Sequence, residues 1–160
     1  MFGLFKKKEE VLESINGITL SLDDIIRFGD TIGDHAPIHR SLEIAQKFDF
    51  DDIPVIGVHL ASIGERITRN LVSVMQDPTK PLNYATHSVT FRYPVYQGER
   101  IDWKIDNEAV SSDSRRYVLI IESRDPTKKP RVELLSKFSS AQPVFNPQDL
   151  GEAVLPKILK

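Results

Sequence analysis

An aspartate and a histidine five residues apart, Asp34 and His39, stand on either side of a proline in Gly33-Asp34-His35-Ala36-Pro37-Ile38-His39. Gly57 follows eighteen residues after His39. Three readings fit these residue types. In the first, His35 and His39 ligate a metal, since residues four apart share a helix face. Pro37 argues against a continuous helix through both histidines, and no His-Glu-x-x-His pattern is present. In the second, Asp34 caps a helix and His39 is a hydrogen-bonded core residue. In the third, a carboxylate and an imidazole hold one water between them and move its protons. Spacing alone favours the structural role.

The elements that would position these residues can be read from pattern. Ser21 and Asp24 are spaced as a capping box, so a helix is expected through Ile25, Ile26 and Phe28, ending near Gly29 or Gly33. Ser41 can cap a short helix carrying Leu42, Ile44 and Ala45. From Val55 to Val72 the apolar residues Ile56, Leu60, Ile63, Ile67 and Leu71 recur at helical spacing. Gly57, Ala61 and Gly64 form a small-residue face of that helix, along which a ligand could lie. Beyond Pro81 the period becomes two, in His87 to Tyr93, Arg100 to Ile105, Arg116 to Glu122 and Val132 to Ala141. Pro126 and Pro130 mark a turn between the last two. Helices followed by antiparallel strands predict an α+β fold.

The bulk numbers bound the remaining possibilities. A chain of 160 residues suits a single domain, 1–160, with residues 1–12 expected as a flexible N-terminal tip. There is no cysteine, which excludes disulfides, thiolate metal sites and cysteine nucleophiles. A cytoplasmic setting is therefore expected. With 21 basic and 23 acidic residues the net charge is -2, and no nucleic-acid partner is expected. No apolar run reaches the length of a membrane span. The greasy-basic start, Phe2 to Lys8, has its charge on the wrong side of the apolar residues for a secretory signal. Trp103 reads as core. Arg66, Arg69, Arg92 and Arg100 read first as solvated surface, and Asp49, Asp51 and Asp52 as loop and cap residues.

Three motifs occur in the order found in one family. Phe28 to His39 resembles the signature of the MaoC-like, (R)-specific enoyl-CoA hydratases: a Gly-Asp pair, two further positions, then Pro, an aliphatic residue and His. Ala45 and the segment Ile53-Pro54-Val55-Ile56-Gly57-Val58-His59-Leu60-Ala61-Ser62 resemble the family's short helix and the glycine that opens its central helix. Val89-Thr90-Phe91-Arg92-Tyr93-Pro94-Val95-Tyr96-Gln97-Gly98-Glu99 is similar to its Phe-Arg-x-Pro-Val-x-x-Gly-Asp/Glu strand and turn. The likeness runs from about residue 20 to residue 141. It departs twice, with Ala36 where Asn is usual and Ile56 where His is common.

The resemblance implies a hot-dog fold, in which an antiparallel sheet wraps one long central helix. It implies Asp34 and His39 as the acid–base pair and the Gly57 N–H as the donor to the thioester oxygen. The substrate would be an acyl thioester of coenzyme A or acyl carrier protein, with no metal or other cofactor, in a homodimer. The acyl chain would pass Ala61 and Gly64. Two alternatives stay open. One is dehydration of a 3-hydroxyacyl chain on acyl carrier protein. The other is a non-catalytic acyl-CoA-binding or regulatory module.

Overall fold

The computed structural model describes residues 2–75, 82–111 and 113–140. The α+β expectation holds: four helices precede most of the sheet, and the longest helix lies against it. Helix α1 spans Phe2–Glu13, where a flexible tip is expected. It packs on the central helix, buries Val11 and pairs Lys8 with Glu108. The physical reason is an apolar face: Val11, Leu12 and Ile15 all join the main core cluster.

After α1, strand β1 (Ile18–Thr19) pairs antiparallel with β3 (Arg100–Ile101). The Asn16 side chain prolongs this pairing. Its amide donates to the Trp103 carbonyl at 2.7 Å and accepts the Trp103 N–H at 2.8 Å. Helix α2 (Leu22–Ile32) begins at the expected capping box, in which Ser21 and Asp24 satisfy each other's backbone N–H groups. Helix α3 (Leu42–Lys47) is capped by Ser41, as its sequence predicts.

Helix α4 (Gly57–Met75) is the centre of the molecule. Leu60, Gly64, Ile67, Thr68, Leu71 and Val72 are its buried residues. The helix packs on α1 and on a four-stranded antiparallel sheet of β2 (Asn83–Phe91), β4 (Trp103–Val110), β5 (Ser114–Ile121) and β6 (Val132–Ser139). The strand order is β2-β6-β5-β4, so β5 and β6 are interior and β2 and β4 are edges. Gly64 is where α4 approaches the sheet most tightly. A Cβ there would lie 2.9 Å from the Trp103 ring and 3.1 Å from Leu134. At Gly64 that face of α4 is filled by side chains, so the open acyl track that small residues suggest does not extend past this point. Residue 141, the expected end of the last strand, lies outside the described residues.

Candidate active site

The loop after α2 is folded back by glycine chemistry. Gly33 caps the helix in the left-handed conformation (φ 76°) and sends its N–H to the Gly29 carbonyl. The Asp34 N–H reaches the same carbonyl at 2.8 Å. Gly29 lies inside α2, not at its end, and has no room for a side chain. A Cβ would stand 2.6 Å from the Asp34 carbonyl oxygen and 3.1 Å from Ile56 Cδ1. The missing side chain thus lets the Asp34 backbone close on α2 beside the residue that precedes Gly57.

Asp34 then turns its carboxylate onto the chain ahead, where Oδ1 accepts the Ala36 N–H at 3.0 Å. Pro37 opens a single 3-10 turn, Pro37–His39, and the Ala36 carbonyl accepts the His39 N–H. The His39 ring is held from the other side, with Nδ1 2.7 Å from the Pro54 carbonyl oxygen. A carbonyl can only accept, so Nδ1 carries the proton of the neutral ring and Nε2 keeps a lone pair. Both residues are partly buried. Asp34 and His39 therefore sit on one short loop, and His39 is tethered to Pro54 in the stretch that leads into α4. Spacing alone favours a structural role for this pair. The polar ends of both side chains nevertheless have capacity left over after their loop contacts.

Gly57 is the first residue of α4. The Ile56 carbonyl receives the N–H groups of His59 and Leu60, at 2.9 and 3.3 Å. Gly57 and Val58 are thus the first helical residues, whose N–H groups lack intrahelical acceptors and lie at the positive end of the helix dipole. Ile56, in the capping position, has no side-chain oxygen to offer them. A cleft of about 290 Å³ opens here between Pro54–Leu60 and Phe91–Val95. The Val55 N–H to the Val95 carbonyl (2.7 Å) and the Gln97 N–H to the Ile53 carbonyl (2.9 Å) join the two segments. Behind Pro94, the buried Arg131 guanidinium donates to the Pro94 carbonyl and to Glu99, and Glu99 also accepts the Tyr96 N–H at 3.1 Å. The Phe-Arg-x-Pro-Val segment is shaped by this ion pair.

Outside the loop, Arg40 gathers three groups. Its guanidinium pairs with Asp30, donates to the Asp34 carbonyl at 3.3 Å and lies 3.1 Å from His35 Nδ1. The hydrogen bond from Arg40 holds the Asp30 carboxyl below the ordinary carboxylate range. His35 is thereby committed to Asp30 and Arg40, and His39 to Pro54, so the two rings serve different partners. On the inner side, His59 stacks flat on Phe28, with ring centroids 4.0 Å apart. Burial lowers its pKa against the pull of Asp24, and its buried Nδ1 has no partner.

Sequence reasoning did not single out Gly29 as a packing residue, nor Arg40, Phe91 or Arg131. Local signals exist for Arg40, adjacent to His39, and for Gly29 and Phe91, which lie in the motifs quoted above, but they do not say what each residue touches. The four arginines read as surface behave variously. Arg69 pairs with Glu65, Arg100 with Asp102, and Arg92 with Glu133 and the Pro130 carbonyl, while Arg66 stays exposed. Asp52 is a loop residue whose carboxylate accepts the Ile53 N–H and the Gln97 amide.

Against this geometry, comparison with known proteins gives a consistent picture. The MaoC like domain model matches residues 5–121. No curated protein sequence matches the chain significantly. Among solved structures, the ChsH1-ChsH2 complex from Mycobacterium tuberculosis is similar with a TM-score of 0.58 at 14% identity, covering 78% of this chain and 96% of that one. The (R)-hydratase from A. caviae involved in PHA biosynthesis gives 0.57 at 18% identity, covering 77% and 89%. C-terminally truncated HadBC, the 3R-hydroxyacyl-ACP dehydratase complex from Mycobacterium tuberculosis, gives 0.57 at 12% identity, covering 76% and 88%. At these identities the likeness is one of fold, a long helix wrapped by an antiparallel sheet.

Proposed function

The chain belongs to the MaoC-like domain family, and from that premise we propose that it hydrates enoyl thioesters, or dehydrates the corresponding 3-hydroxyacyl thioesters. In the hydration direction one water is held by Asp34 and His39. The pair takes a proton from that water as its oxygen bonds to Cβ of a trans-2-enoyl-CoA. The π electrons shift toward the carbonyl, and the thioester oxygen gains negative charge. The Gly57 N–H, at the positive start of α4, stabilises that oxygen, a contribution typically worth about 2.7–4 kcal/mol. As the carbonyl re-forms, Cα receives a proton from the pair, and one water has been added. Asp34 and His39 act as a coupled unit in which one member holds a proton while the other accepts one. The proton inventory closes within the pair and the water.

The observation that carries this reading is the 2.7 Å hydrogen bond from His39 Nδ1 to Pro54. It leaves Nε2 as the acceptor of the neutral ring, on a residue tied to the same segment that lines the cleft and leads to Gly57. The test is a panel of enoyl-CoAs of graded chain length, followed by loss of the conjugated-thioester absorbance. The expected outcome is turnover by the wild type and a loss of about 10²–10⁴-fold in Asp34→Asn and in His39→Ala, with little change in Tm. Unchanged hydration by Asp34→Asn would refute the assignment. Ala36, which lacks the usual Asn side chain, favours the second reading, a non-catalytic acyl-CoA binder. That reading is supported if the wild type hydrates nothing yet binds coenzyme A esters tightly. Turnover of acyl-carrier-protein esters in preference to coenzyme A esters would assign the carrier.

A further inference from the structure

We infer that Phe91 is the specificity-determining wall of this cleft and restricts the site to short acyl groups, an inference that rests on the thioester reading above. Three atoms of the Phe91 ring lie 3.1–3.3 Å from the point where a Cβ on Gly57 would sit. The ring therefore lies across the first residue of α4, beside the N–H proposed to receive the thioester oxygen. Its backbone is fixed on both sides. Phe91 ends β2 opposite Val132, and the next N–H, of Arg92, bonds to the Arg131 carbonyl at 2.8 Å. Arg131 in turn grips the Pro94 carbonyl. Yet the residue is 47% exposed, so a large part of the ring is free to meet a ligand.

The other walls are of matching character. Phe50, Pro54, Leu60, Tyr93 and Val95 make the cleft mainly apolar, as an acyl group requires. Further along α4 the Trp103 ring and Leu134 occupy the space beside Gly64. An acyl group whose carbonyl lies at Gly57 would meet the Phe91 ring beside it and would find the space at Gly64 already filled. Each methylene that a rigid apolar wall accepts or refuses changes relative rates by roughly 10–200-fold.

The experiment compares hydration of crotonyl-CoA and oct-2-enoyl-CoA by the wild type, Phe91→Ala and Phe91→Leu. The ratio of kcat/KM for octenoyl over crotonyl substrate should rise by roughly 10–200-fold in Phe91→Ala and by less in Phe91→Leu. The rise should come from faster use of the longer chain. Phe91→Leu keeps an apolar side chain at this position and serves if Phe91→Ala does not fold. An unchanged ratio in the folded variants, or an equal loss on both substrates, overturns the inference and leaves the hydratase reading standing. If the wild type hydrates neither substrate, that reading falls by itself. The Phe91 inference is then decided by calorimetric titration with butyryl-CoA and octanoyl-CoA. A shift of the Kd ratio toward the longer chain in the variants supports it, whereas no shift, or no binding by any of the proteins, overturns it.

Discussion

Arg40 joins Asp30, His35 and the Asp34 carbonyl on the solvent side of the loop that carries Asp34 and His39, while Asp34 itself accepts the Ala36 N–H. With alanine at 36 no side-chain amide braces the turn, and the guanidinium is the largest polar contact left to do so. Arg40→Met should lower kcat by up to about 10²-fold with a smaller effect on KM, because small displacements of acid–base groups are costly. A pure surface role for Arg40 predicts no change in either constant. His59 gives a separate prediction. Burial lowers its pKa in the folded chain, so as pH falls through about 6.5 the unfolded chain takes up a proton first. Stability should therefore fall as pH drops through the window just below that value. His59→Phe retains an aromatic ring for the stack on Phe28 and has no proton to bind. Its Tm should drop less than that of the wild type between about pH 7 and about pH 5, a range in which histidine changes charge. Parallel Tm profiles would sink the idea. The placement of Asp34 and His39 on one loop and of Gly57 at the start of a long helix is legible in the sequence, because Gly33, Pro37 and the apolar stripe are local signals. The contacts of Gly29, Arg40 and Phe91 are not, because what matters there is the atom within a few ångströms across the fold.

Among the elements, α2, α3 and α4 were foreseeable from caps and period, since Ser21, Ser41 and the Leu60-Ile67-Leu71 stripe are local signals. The strands were foreseeable as strands, but their bounds were not. β2 begins at Asn83, four residues before its alternation becomes clear, and Asp102 separates β3 from β4. Helix α1 is hard to read from sequence because a run of five charged residues, Lys6 to Glu10, interrupts its apolar period. Gly57, Ala61 and Gly64 read as one small-residue face, but sequence cannot say which neighbour meets each of them. At Gly64 the occupant is Trp103, with a hypothetical Cβ 2.9 Å away. Gly64→Ala should therefore overpack the helix–sheet contact and cost about 1–3 kcal/mol, seen as a lower Tm. The activity ratio between short and long substrates should stay the same, since Gly64 does not line the cleft. An unchanged Tm would mean that the sheet yields easily there.

For the whole molecule the open question is what meets the outer edge of β2. Ala85, Thr86, His87, Ser88 and Thr90 are exposed along it, and the strand carries no lysine, glutamate or proline to discourage pairing. We expect a homodimer in which β2 of two copies lie side by side. Ultracentrifugation at micromolar concentration should show it, and the paired substitution Thr86→Lys with Ser88→Lys should shift it toward monomer. Monomer alone in the wild type would count against the pairing. The near-neutral balance of charge, -2 overall, gives little long-range repulsion to oppose such association. The same packing that closes α4 onto its sheet also gives the molecule an optical signal. Trp103 is the chain's one tryptophan, 1% exposed, with its indole N–H unpartnered in an apolar setting. An indole so placed emits at short wavelength, and water contact moves the emission to the red. With excitation selective for indole over the four tyrosines, fluorescence from the intact protein thus reports the seam between α4 and the sheet. Because Gly57 opens the same helix, a titration with acyl-CoA watched at that wavelength reads whether events in the cleft travel along α4 to the seam.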